Sequence, residues 1–408
     1  MRALLTFCLL LPFAAVAEIV TPVTDTDPTM ETTGQSFEDW LTGFRARAVA
    51  QGLSEETLQA LDDARFLDHV IDRDRNQYEF SKTIWDYLAT AVSDGRIANG
   101  KRAMERAGDV LARVEAEYGV DRHIIAAIWG LESAYGAVRG DKPTLHALAT
   151  LAADSRRGPF FEGQLIDALT ILQSGDTTPA AMRGSWAGAM GHTQFMPSSY
   201  LALAVDFDGD GRRDIWSDDP ADALASTANY LRDAGWVTGQ PWGYEVVLPE
   251  GFDYRLADRR IVKSEADWQR MGLRLPGGEG LPDVIGEASV LLPAGAAGVA
   301  FLVYDNFAAL ERYNTADAYV IAVGHLADRL RGGPPFAGGW PYEDRVLTFD
   351  ERIELQRLLT AAGFDTFGLD GLIGPSTVNA IRDYQAARGL IPDGYAPPRL
   401  LERLRAGE

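Results

Sequence analysis

Residues 121–136 read D-R-H-I-I-A-A-I-W-G-L-E-S-A-Y-G, and their pattern predicts a helix. Its apolar residues recur at helical spacing, and Asp121 is a residue type that caps helix N-termini. Ile125, Ile128 and Glu132 are spaced i, i+3 and i+7, so they share one face of the predicted helix. Glu132 therefore belongs to an apolar face, close to the C-terminal end of the helix.

A carboxyl group in this position is expected to hold its proton. Desolvation and the negative end of the helix dipole both disfavour the charged form, so both raise the pKa of Glu132. A carboxyl group that is protonated near neutral pH is what the general acid of glycosidic cleavage requires. On this segment alone, a Glu that points into water from a frayed helix end is the commoner case.

A second segment, residues 185–200, reads S-W-A-G-A-M-G-H-T-Q-F-M-P-S-S-Y. Gly188 and Gly191 would allow the backbone to approach a ligand closely. Gln194 offers both a donor and an acceptor for the hydroxyl or acetamido groups of a sugar. Pro197 fits the first turn of a following helix. A plain turn between two helices is the alternative interpretation.

Together, G-L-E-S-x-Y-G and S-W-A-G-A-M-G-x-x-Q-F-M-P-S-S-Y resemble the lytic murein transglycosylase B family. The motifs A-V-D-F-D-G-D-G-R-R-D-I-W and A-S-T-A-N-Y-L-R-D-A-G-W follow in the family's order, and D-N-F and R-Y-N come later. The resemblance covers about residues 37–330. It implies a mainly α fold, with a lysozyme-like helical catalytic domain and a small mixed α/β insertion.

The resemblance also assigns candidate site residues. Glu132 takes the position of the catalytic acid and base, and Ser185 and Gln194 would line the cleavage site. Further positions that line the family's groove fall on Tyr230, Asn306, Tyr313, Arg156 and Arg157, with Tyr87 as an additional contact.

The implied chemistry is non-hydrolytic cleavage of peptidoglycan, at the β-1,4 bond between N-acetylmuramic acid and N-acetylglucosamine. Glycosidases normally use two carboxylates, whereas this family is understood to use one and no catalytic cofactor. Glu132 would protonate the bond oxygen and then take the proton of the C6 hydroxyl, while a 1,6-anhydro ring closes. The alternatives are a lysozyme-type muramidase, which adds water to the same bond, and a non-enzymatic wall-binding scaffold.

An acidic loop follows the Gln194 segment. Residues 206–211 read D-F-D-G-D-G, the opening half of an EF-hand calcium loop. Position 12 of that loop is Ser217 rather than the usual Glu. The resembled family closes a longer loop with a later Asp, which falls on Asp222, with Asp218 and Asp219 as rivals. We therefore expect a structural calcium held by Asp206, Asp208, Asp210, Arg212 and Asp222; an acidic turn without metal is the alternative.

The N-terminus predicts export to the periplasm. Arg2, the apolar run 3–16 and Ala15-Val16-Ala17 form a signal peptide over residues 1–17. The run is shorter than the ~20 residues of a membrane span, which argues against an uncleaved anchor. Cleavage after Ala17 would remove Cys8, the only cysteine, so we expect no disulfide. No later apolar run is long enough to span a membrane.

The net charge argues against two classes of binding partner. The net charge of −21 over 408 residues argues against nucleic acid or an anionic membrane as a partner.

We predict a flexible leader over 18–35, a catalytic domain over 36–331 and a Gly/Pro-rich linker over 332–345.

Residues 346–405 form a separate unit. Their D-G-L-I-G-P-S-T motif, from Asp370, resembles that of the small three-helix peptidoglycan-binding domain. We expect Ser376 or Thr377 to cap the helix that follows. A helical tail without a ligand is the alternative.

Overall fold

The computed structural model describes residues 36–75, 82–154 and 157–408. The predicted signal peptide, the leader over 18–35 and Arg156 lie outside these ranges. Within the described residues the chain is mainly helical, which confirms the predicted fold class. None of the helices in these ranges combines the length and the apolar character needed to cross a bilayer.

The described residues before residue 234 are mainly helical. Its helices, numbered in chain order, are α1 (Phe37–Ala50), α2 (Glu55–Leu58), α3 (Asp68–Arg75), α4 (Ile84–Ala91), α5 (Asp94–Arg106), α6 (Gly108–Tyr118), α7 (Arg122–Ser133), α8 (Thr144–Ala153), α9 (Gly158–Ser174), α10 (Pro197–Leu203) and α11 (Ala221–Asp233). Asp121 caps α7 as predicted, because its side chain accepts a hydrogen bond from the backbone of His123. Pro197 opens α10, also as predicted.

Helix α7 is the central element of the larger core. Ile125 and Ile128 are fully buried, and each contributes about 1.5–3 kcal/mol through burial of its side chain. The helix packs against α5, α6, α11 and a later helix, α14 (Asp317–Arg331). Helix α13 (Asp305–Tyr313) precedes α14 and packs against it. The core therefore fixes the helix that carries Glu132 on several sides.

Two small sheets interrupt the helices. Strand β1 (Lys142–Pro143) pairs antiparallel with β2 (Arg183–Gly184). Strands β3 (Gly243–Val246), β4 (Ser289–Leu291) and β5 (Ala300–Val303) form an antiparallel sheet in the order β3-β5-β4. Helix α12 (Glu265–Arg270) inserts the fully buried Trp268 into the core beside this sheet. This is the small mixed α/β insertion that the resemblance implies.

The C-terminal residues form three helices around a core of their own: α15 (Phe349–Ala361), α16 (Pro375–Ala387) and α17 (Pro398–Ala406). The expectation that Ser376 or Thr377 caps α16 is wrong, because the helix already begins at Pro375. Thr377 is instead buried and donates a 3.2 Å hydrogen bond to the carbonyl of Leu372. Thr377 therefore stabilises the turn before α16 and does not cap the helix.

Candidate active site

Glu132 lies in the last turn of α7, one residue before the helix ends. Its half-buried carboxylate accepts a 2.6 Å hydrogen bond from Oη of Tyr319 on α14. Burial raises the pKa of Tyr319 well above its usual range, and the negative charge of Glu132 adds to the shift. Tyr319 therefore keeps its proton and remains the donor in this pair.

The chain turns sharply after Glu132. Ala134 and Tyr135 adopt left-handed φ angles of 50° and 61°, which cost about 1 kcal/mol or more for each residue with a side chain. The Tyr135 ring packs so closely on Gly130 that a Cβ there would lie 2.5 Å from it. Its Oη donates a 3.1 Å hydrogen bond to the carbonyl of Arg96. Tight packing thus holds a strained turn directly beside the candidate acid.

Ser133 fastens α7 to the segment that carries Gln194. Its Oγ donates a 2.5 Å hydrogen bond to the carbonyl of His192. Trp129 Nε1 donates to Nδ1 of His192 at 3.0 Å, and Nε2 of that ring contacts the carbonyl of Ser217 at 2.7 Å. Burial lowers the pKa of His192, so the neutral ring with its proton on Nε2 fits both contacts.

The glycines before Gln194 allow close packing of the chain against itself. A Cβ on Gly188 would lie 2.4 Å from Leu148, and one on Gly191 would lie 2.4 Å from the carbonyl oxygen of Ile215. The close approach to a ligand that the sequence predicts for these two positions stays a prediction. Gln194, which follows them, has a left-handed φ of 55°.

The Gln194 side chain is held by its amide nitrogen. Nε2 donates to the carbonyls of Arg139 and Gly191 at 3.1 and 2.8 Å. The carbonyl half of the amide is thus left to accept a hydrogen bond from a ligand.

Ser185 closes the loop that precedes Gln194. Its Oγ accepts hydrogen bonds from the backbone of Ala187 and Ala189, at 3.3 and 3.1 Å, which leaves the hydroxyl proton available for a ligand. The pairing of β1 with β2 places this loop against the segment after α7. A Cβ on Gly140 would lie 2.1 Å from the backbone of Gly184, so the two segments are in direct contact.

Aromatic side chains line the space beside Gln194. The rings of Tyr230 and Tyr313 lie 4.9 Å apart, and both contact the edge or face of Phe195. Tyr313 Oη donates a 2.6 Å hydrogen bond to the carbonyl of Thr193. Burial raises the pKa of Tyr313 well above its usual range, and the charge of Glu132 contributes. Tyr313 therefore lies between the candidate acid and the Gln194 loop.

A cavity of about 110 Å³ opens among these residues. Its lining comprises Gln194, Phe195, Met196, Ser198, Ser199, Tyr230, Arg312, Tyr313, Asn314 and Thr315. The Gln194 segment, α11 and the end of α13 thus converge on one cleft, as the resemblance implies for Gln194, Tyr230 and Tyr313.

The structure does not bring Asn306 to this cleft. Asn306 is fully buried, and both polar atoms of its side chain bond to backbone groups. Oδ1 accepts from Val237 at 2.7 Å, and Nδ2 donates to the carbonyls of Val237 and Gln240 at 2.9 and 2.6 Å. Asn314, next to Tyr313, lines the cavity instead. The assignment of Asn306 as a groove residue is therefore corrected to Asn314.

The remaining candidates are spread around the cleft. Tyr87 on α4 is half-buried and contributes to the raised pKa of Tyr319, so it lies near the Glu132 pair. Arg157 forms an ion pair with the buried Asp74 and lies over the ring of Phe161 at 4.9 Å. Arg157 is thus partly committed to the protein interior rather than placed in the Gln194 cavity.

The predicted calcium loop brings three carboxylates together. Asp206, Asp208 and Asp210 each offer an oxygen, and these oxygens lie within 4.8 Å of one another at the surface. Asp206 also accepts hydrogen bonds from the backbone of Gly209 and Gly211, at 2.8 and 2.9 Å. An all-oxygen donor set on a loop of this shape fits the coordination that Ca²⁺ prefers.

Asp222 lies beneath the loop rather than within that carboxylate group. It is buried, and it accepts hydrogen bonds from the backbone of Phe207 and Asp214 at 2.8 and 2.7 Å. Burial raises its pKa to about 6. The two alternatives to Asp222 have other partners: Asp218 forms an ion pair with Arg139, and Asp219 accepts a hydrogen bond from the backbone of Ala221. Arg212 donates its backbone N–H to Asp210 at 2.9 Å.

Reasoning from sequence missed the partners that position Glu132. Tyr319 lies 187 residues away, and nothing in its local pattern distinguishes it from a core tyrosine. Ser133 and His192 lie within the two quoted segments, yet their hydrogen bond depends on the fold. Asn314 had a usable signal, because it directly follows Tyr313 in the R-Y-N motif.

Comparison with known proteins identifies the family of the chain. Residues 36–328 match the family model of the Transglycosylase SLT domain, and residues 350–404 match that of a peptidoglycan binding domain. Membrane-bound lytic murein transglycosylase B of Escherichia coli K12 is 35% identical over 251 residues. That alignment covers 60% of this chain and 66% of the relative, so the chain spans just under two thirds of that relative's length.

Two solved structures are similar over more of their length. SltB3 from Pseudomonas aeruginosa, in complex with NAG-anhNAM-pentapeptide, has 48% identity and a TM-score of 0.88, covering 91% of this chain and 100% of that one. Slt35 from Escherichia coli, in complex with calcium, has 31% identity and a TM-score of 0.60, covering 71% and 92%. The chain belongs to the lytic transglycosylase family defined by the Transglycosylase SLT domain, which spans most of its length.

Proposed function

We propose that this chain is a peptidoglycan lytic transglycosylase, which cleaves the bond between N-acetylmuramic acid and N-acetylglucosamine and leaves 1,6-anhydromuramic ends. One observation carries the choice of a non-hydrolytic route. SltB3, which is 48% identical and similar over 91% of this chain, was solved in complex with NAG-anhNAM-pentapeptide, a ligand with an anhydro end. An anhydro end is the product of the non-hydrolytic route, whereas a hydrolase normally uses a second carboxylate and leaves a reducing end.

Glu132 acts first as acid and then as base. Its protonated carboxyl gives a proton to the oxygen of the scissile bond, while the substrate's acetamido group stabilises the positive charge at the anomeric carbon. The resulting carboxylate takes the proton of the C6 hydroxyl, and that oxygen bonds to the anomeric carbon. Tyr319 orients the carboxylate through its 2.6 Å hydrogen bond.

The cleft binds the sugars through complementary polar groups. The carbonyl half of the Gln194 amide accepts from a hydroxyl or acetamido N–H, and the Ser185 hydroxyl donates. Tyr230 and Tyr313 supply ring surface, with rings 4.9 Å apart. Asn314 lines the same cavity and offers both a donor and an acceptor. Tyr313 links this cavity to Glu132, whose charge contributes to the raised pKa of the Tyr313 hydroxyl.

The mass of the product ends tests the reaction. Purified wall sacculi are digested with the wild-type chain and with Glu132→Gln, and the released muropeptides are weighed by mass spectrometry. We expect anhydro ends, lighter than reducing ends by one water, from the wild type and no release by the variant. Reducing ends would assign a muramidase, and an inactive wild type that still binds sacculi would assign a scaffold.

A structural calcium on the acidic loop is the second part of the proposal. Asp206, Asp208 and Asp210 would hold the ion, with the carbonyl of Arg212, and Asp222 braces the loop from below. The ion offsets the repulsion of the three carboxylates and takes no part in the reaction. The similarity to Slt35, solved in complex with calcium, supports this site.

The location we propose is the periplasm, after removal of residues 1–17. The small residues Ala15 and Ala17 at the predicted cleavage site support it. The domain limits we propose are 36–331 for the catalytic domain, 332–345 for the linker and 346–405 for a domain that binds the wall. The match of residues 350–404 to a peptidoglycan binding domain supports the last of these.

A further inference from the structure

Arg139 lies between α7 and β1, and its side chain reaches residues 216–218, which lie between the acidic loop and α11. Nη1 donates a 2.9 Å hydrogen bond to the carbonyl of Trp216 and another to the carbonyl of Ser217. Nη2 forms a 2.7 Å ion pair with Asp218. The guanidinium group, with several donors in a fixed geometry, therefore connects the chain after α7 to a distant segment.

The two carbonyls hold this guanidinium more firmly than the carboxylate does. The side chain of Asp218 is 98% exposed, and an ion pair at such a position contributes little because water screens it. Hydrogen bonds from a charged donor to the carbonyls of Trp216 and Ser217 are stronger than those between neutral groups. The position of the Arg139 side chain therefore depends mainly on the backbone of residues 216–217.

His192 bonds to one of the same acceptors. Its Nε2 donates to the carbonyl of Ser217 at 2.7 Å, so this carbonyl accepts from both side chains. Burial lowers the pKa of His192, and the positive charge of Arg139 adds to this shift. The neutral ring keeps Nδ1 as the acceptor for Trp129 Nε1. Arg139 therefore supports the contacts that join α7 to the Gln194 segment.

The backbone of Arg139 holds the Gln194 side chain. Nε2 of Gln194 donates to the carbonyl of Arg139 at 3.1 Å and to that of Gly191 at 2.8 Å. Gly191 belongs to the same short loop as Gln194, whereas Arg139 lies 55 residues away in sequence. The contact with Arg139 therefore fixes the amide relative to a different part of the fold, at the edge of the cavity that Gln194 lines.

The residues on either side of Arg139 are fixed independently of its side chain. The backbone N–H of Val138 donates to the carbonyl of Ser133 at 2.9 Å. A Cβ on Gly140 would lie 2.1 Å from the backbone of Gly184, so these two segments are in direct contact. We therefore expect a substitution at Arg139 to displace its carbonyl while the surrounding chain stays folded.

We propose that Arg139 is a positioning residue for substrate binding, which orients the Gln194 amide by anchoring its own carbonyl to residues 216–218. The inference rests on the proposed function, in which the carbonyl half of this amide accepts a hydrogen bond from a sugar hydroxyl or acetamido N–H. Arg139 acts through Gln194 and takes no part in proton transfer by Glu132. Substrate affinity should therefore depend on Arg139 only while Gln194 is present.

A double-mutant cycle on the full chain tests this role. Steady-state rates on soluble peptidoglycan glycan strands are measured for the wild type, Arg139→Gln, Gln194→Ala and the double variant. We expect Arg139→Gln to raise KM about 3- to 10-fold, the effect of one weakened hydrogen bond, with a smaller change in kcat. In the Gln194→Ala background the same substitution should leave KM unchanged, because the side chain it positions is gone. An equal rise of KM in both backgrounds, or a fall in kcat at unchanged KM, would overturn the proposal.

Two further variants separate positioning from folding. Arg139→Lys keeps a charged donor for the two carbonyls, so its KM should lie between those of the wild type and Arg139→Gln. This variant carries the cycle if Arg139→Gln does not fold. Arg183→Gln should keep the wild-type KM, because Arg183, an exposed arginine of β2, donates instead to the carbonyl of Asp141 at 2.7 Å. A rise of KM in Arg183→Gln as large as that in Arg139→Gln contradicts the proposal.

Binding without turnover distinguishes this inference from the proposed function. Calorimetric titration of the same glycan strands in the Glu132→Gln background gives the Kd, which should rise with Arg139→Gln by the same factor as KM. A wild type that binds the strands without cleaving them contradicts the proposed function, and the Kd values then still test Arg139. An unchanged Kd in Arg139→Gln contradicts its role as a positioning residue.

Discussion

Tyr319 Oη donates a 2.6 Å hydrogen bond to Oε1 of Glu132, across 187 residues of sequence. The packing of α14 on α7 makes this contact. Because burial and the nearby negative charge both raise the pKa of Tyr319, its hydroxyl keeps its proton and stays the donor. This hydrogen bond therefore fixes the orientation of the Glu132 carboxylate at Oε1.

Tyr319→Phe should lower kcat while KM changes little. Loss of a hydrogen bond to a charged group costs about 1.5–3 kcal/mol, which corresponds to about 10- to 100-fold in rate. Steady-state rates on soluble glycan strands measure this. Tyr304→Phe is the matched control, because Tyr304 is also buried and donates to a carboxylate, that of Glu265, beside the small sheet. An equal loss of kcat in both variants would reduce the effect to general destabilisation.

Gly130→Ala should reduce both stability and kcat. A Cβ at this position would lie 2.5 Å from the Tyr135 ring, so the ring and the strained turn after Glu132 must shift, at a cost of about 1–3 kcal/mol. Urea unfolding and the cleavage rate together measure this.

The matched control for Gly130→Ala is Gly163→Ala in α9, where no heavy atom lies within 4 Å of the added Cβ. It should increase the free energy of unfolding by about 0.5–1 kcal/mol, because alanine favours the helix. A Gly130→Ala variant as stable and active as the wild type would show that Tyr135 does not fix the turn.

The sequence predicts best what local pattern determines. Asp121 caps α7, Glu132 stands in its last turn and Pro197 opens α10, because capping, helical spacing and the fixed φ of proline act over a few residues. The acidic loop likewise brings Asp206, Asp208 and Asp210 together, because the ligands of such a loop are close in sequence.

What depends on packing between distant segments was not predicted. Asn306 and Asn314 are both asparagines next to aromatic residues in motifs that carry the family resemblance, and only burial separates the interior amide from the one in the cleft. The packing of Gly188 and Gly191 was missed for the same reason, because the atoms they approach belong to the distant residues Leu148 and Ile215. Tyr319 has no local signature at all.

Calcium should raise the Tm of the wild type, and it should raise the Tm of Asp208→Asn by less. The three loop carboxylates lie within 4.8 Å, so they repel one another without an ion and bind it together when it is present. Calcium at a hundredfold excess over its Kd contributes about 2.7 kcal/mol and raises Tm by about 5 °C. Thermal melts with calcium and with EDTA measure this.

The order of the melting temperatures of Asp208→Asn and the wild type should differ between EDTA and calcium. Asp208→Asn should melt at or above the wild type in EDTA, because one repelling charge is gone, and below it in calcium. Asp383→Asn, at an exposed position on α16, should follow the wild type in both conditions. A wild-type Tm that is the same in calcium and EDTA would contradict a calcium site on this loop.

Acidification should destabilise the fold through His325. This side chain is 7% exposed and stacks on Phe336 with ring centroids 3.7 Å apart. Burial, with a contribution from Arg329, lowers its pKa to about 4, whereas an unfolded histidine titrates near 6.5. Between these values the unfolded chain binds a proton that the folded chain does not. Stability is therefore complete above pH ~6.5 and falls by about 3 kcal/mol as the pH drops to 4.

His325→Phe should remove this component, because phenylalanine keeps the stacking and cannot titrate. Urea unfolding at pH 7 and pH 4 gives the change in free energy of unfolding for each chain. The matched control is His69→Phe, at an exposed position, which should retain the wild-type pH dependence. If the difference between the two pH values were the same in His325→Phe as in the wild type, the acid sensitivity would have to come from other groups.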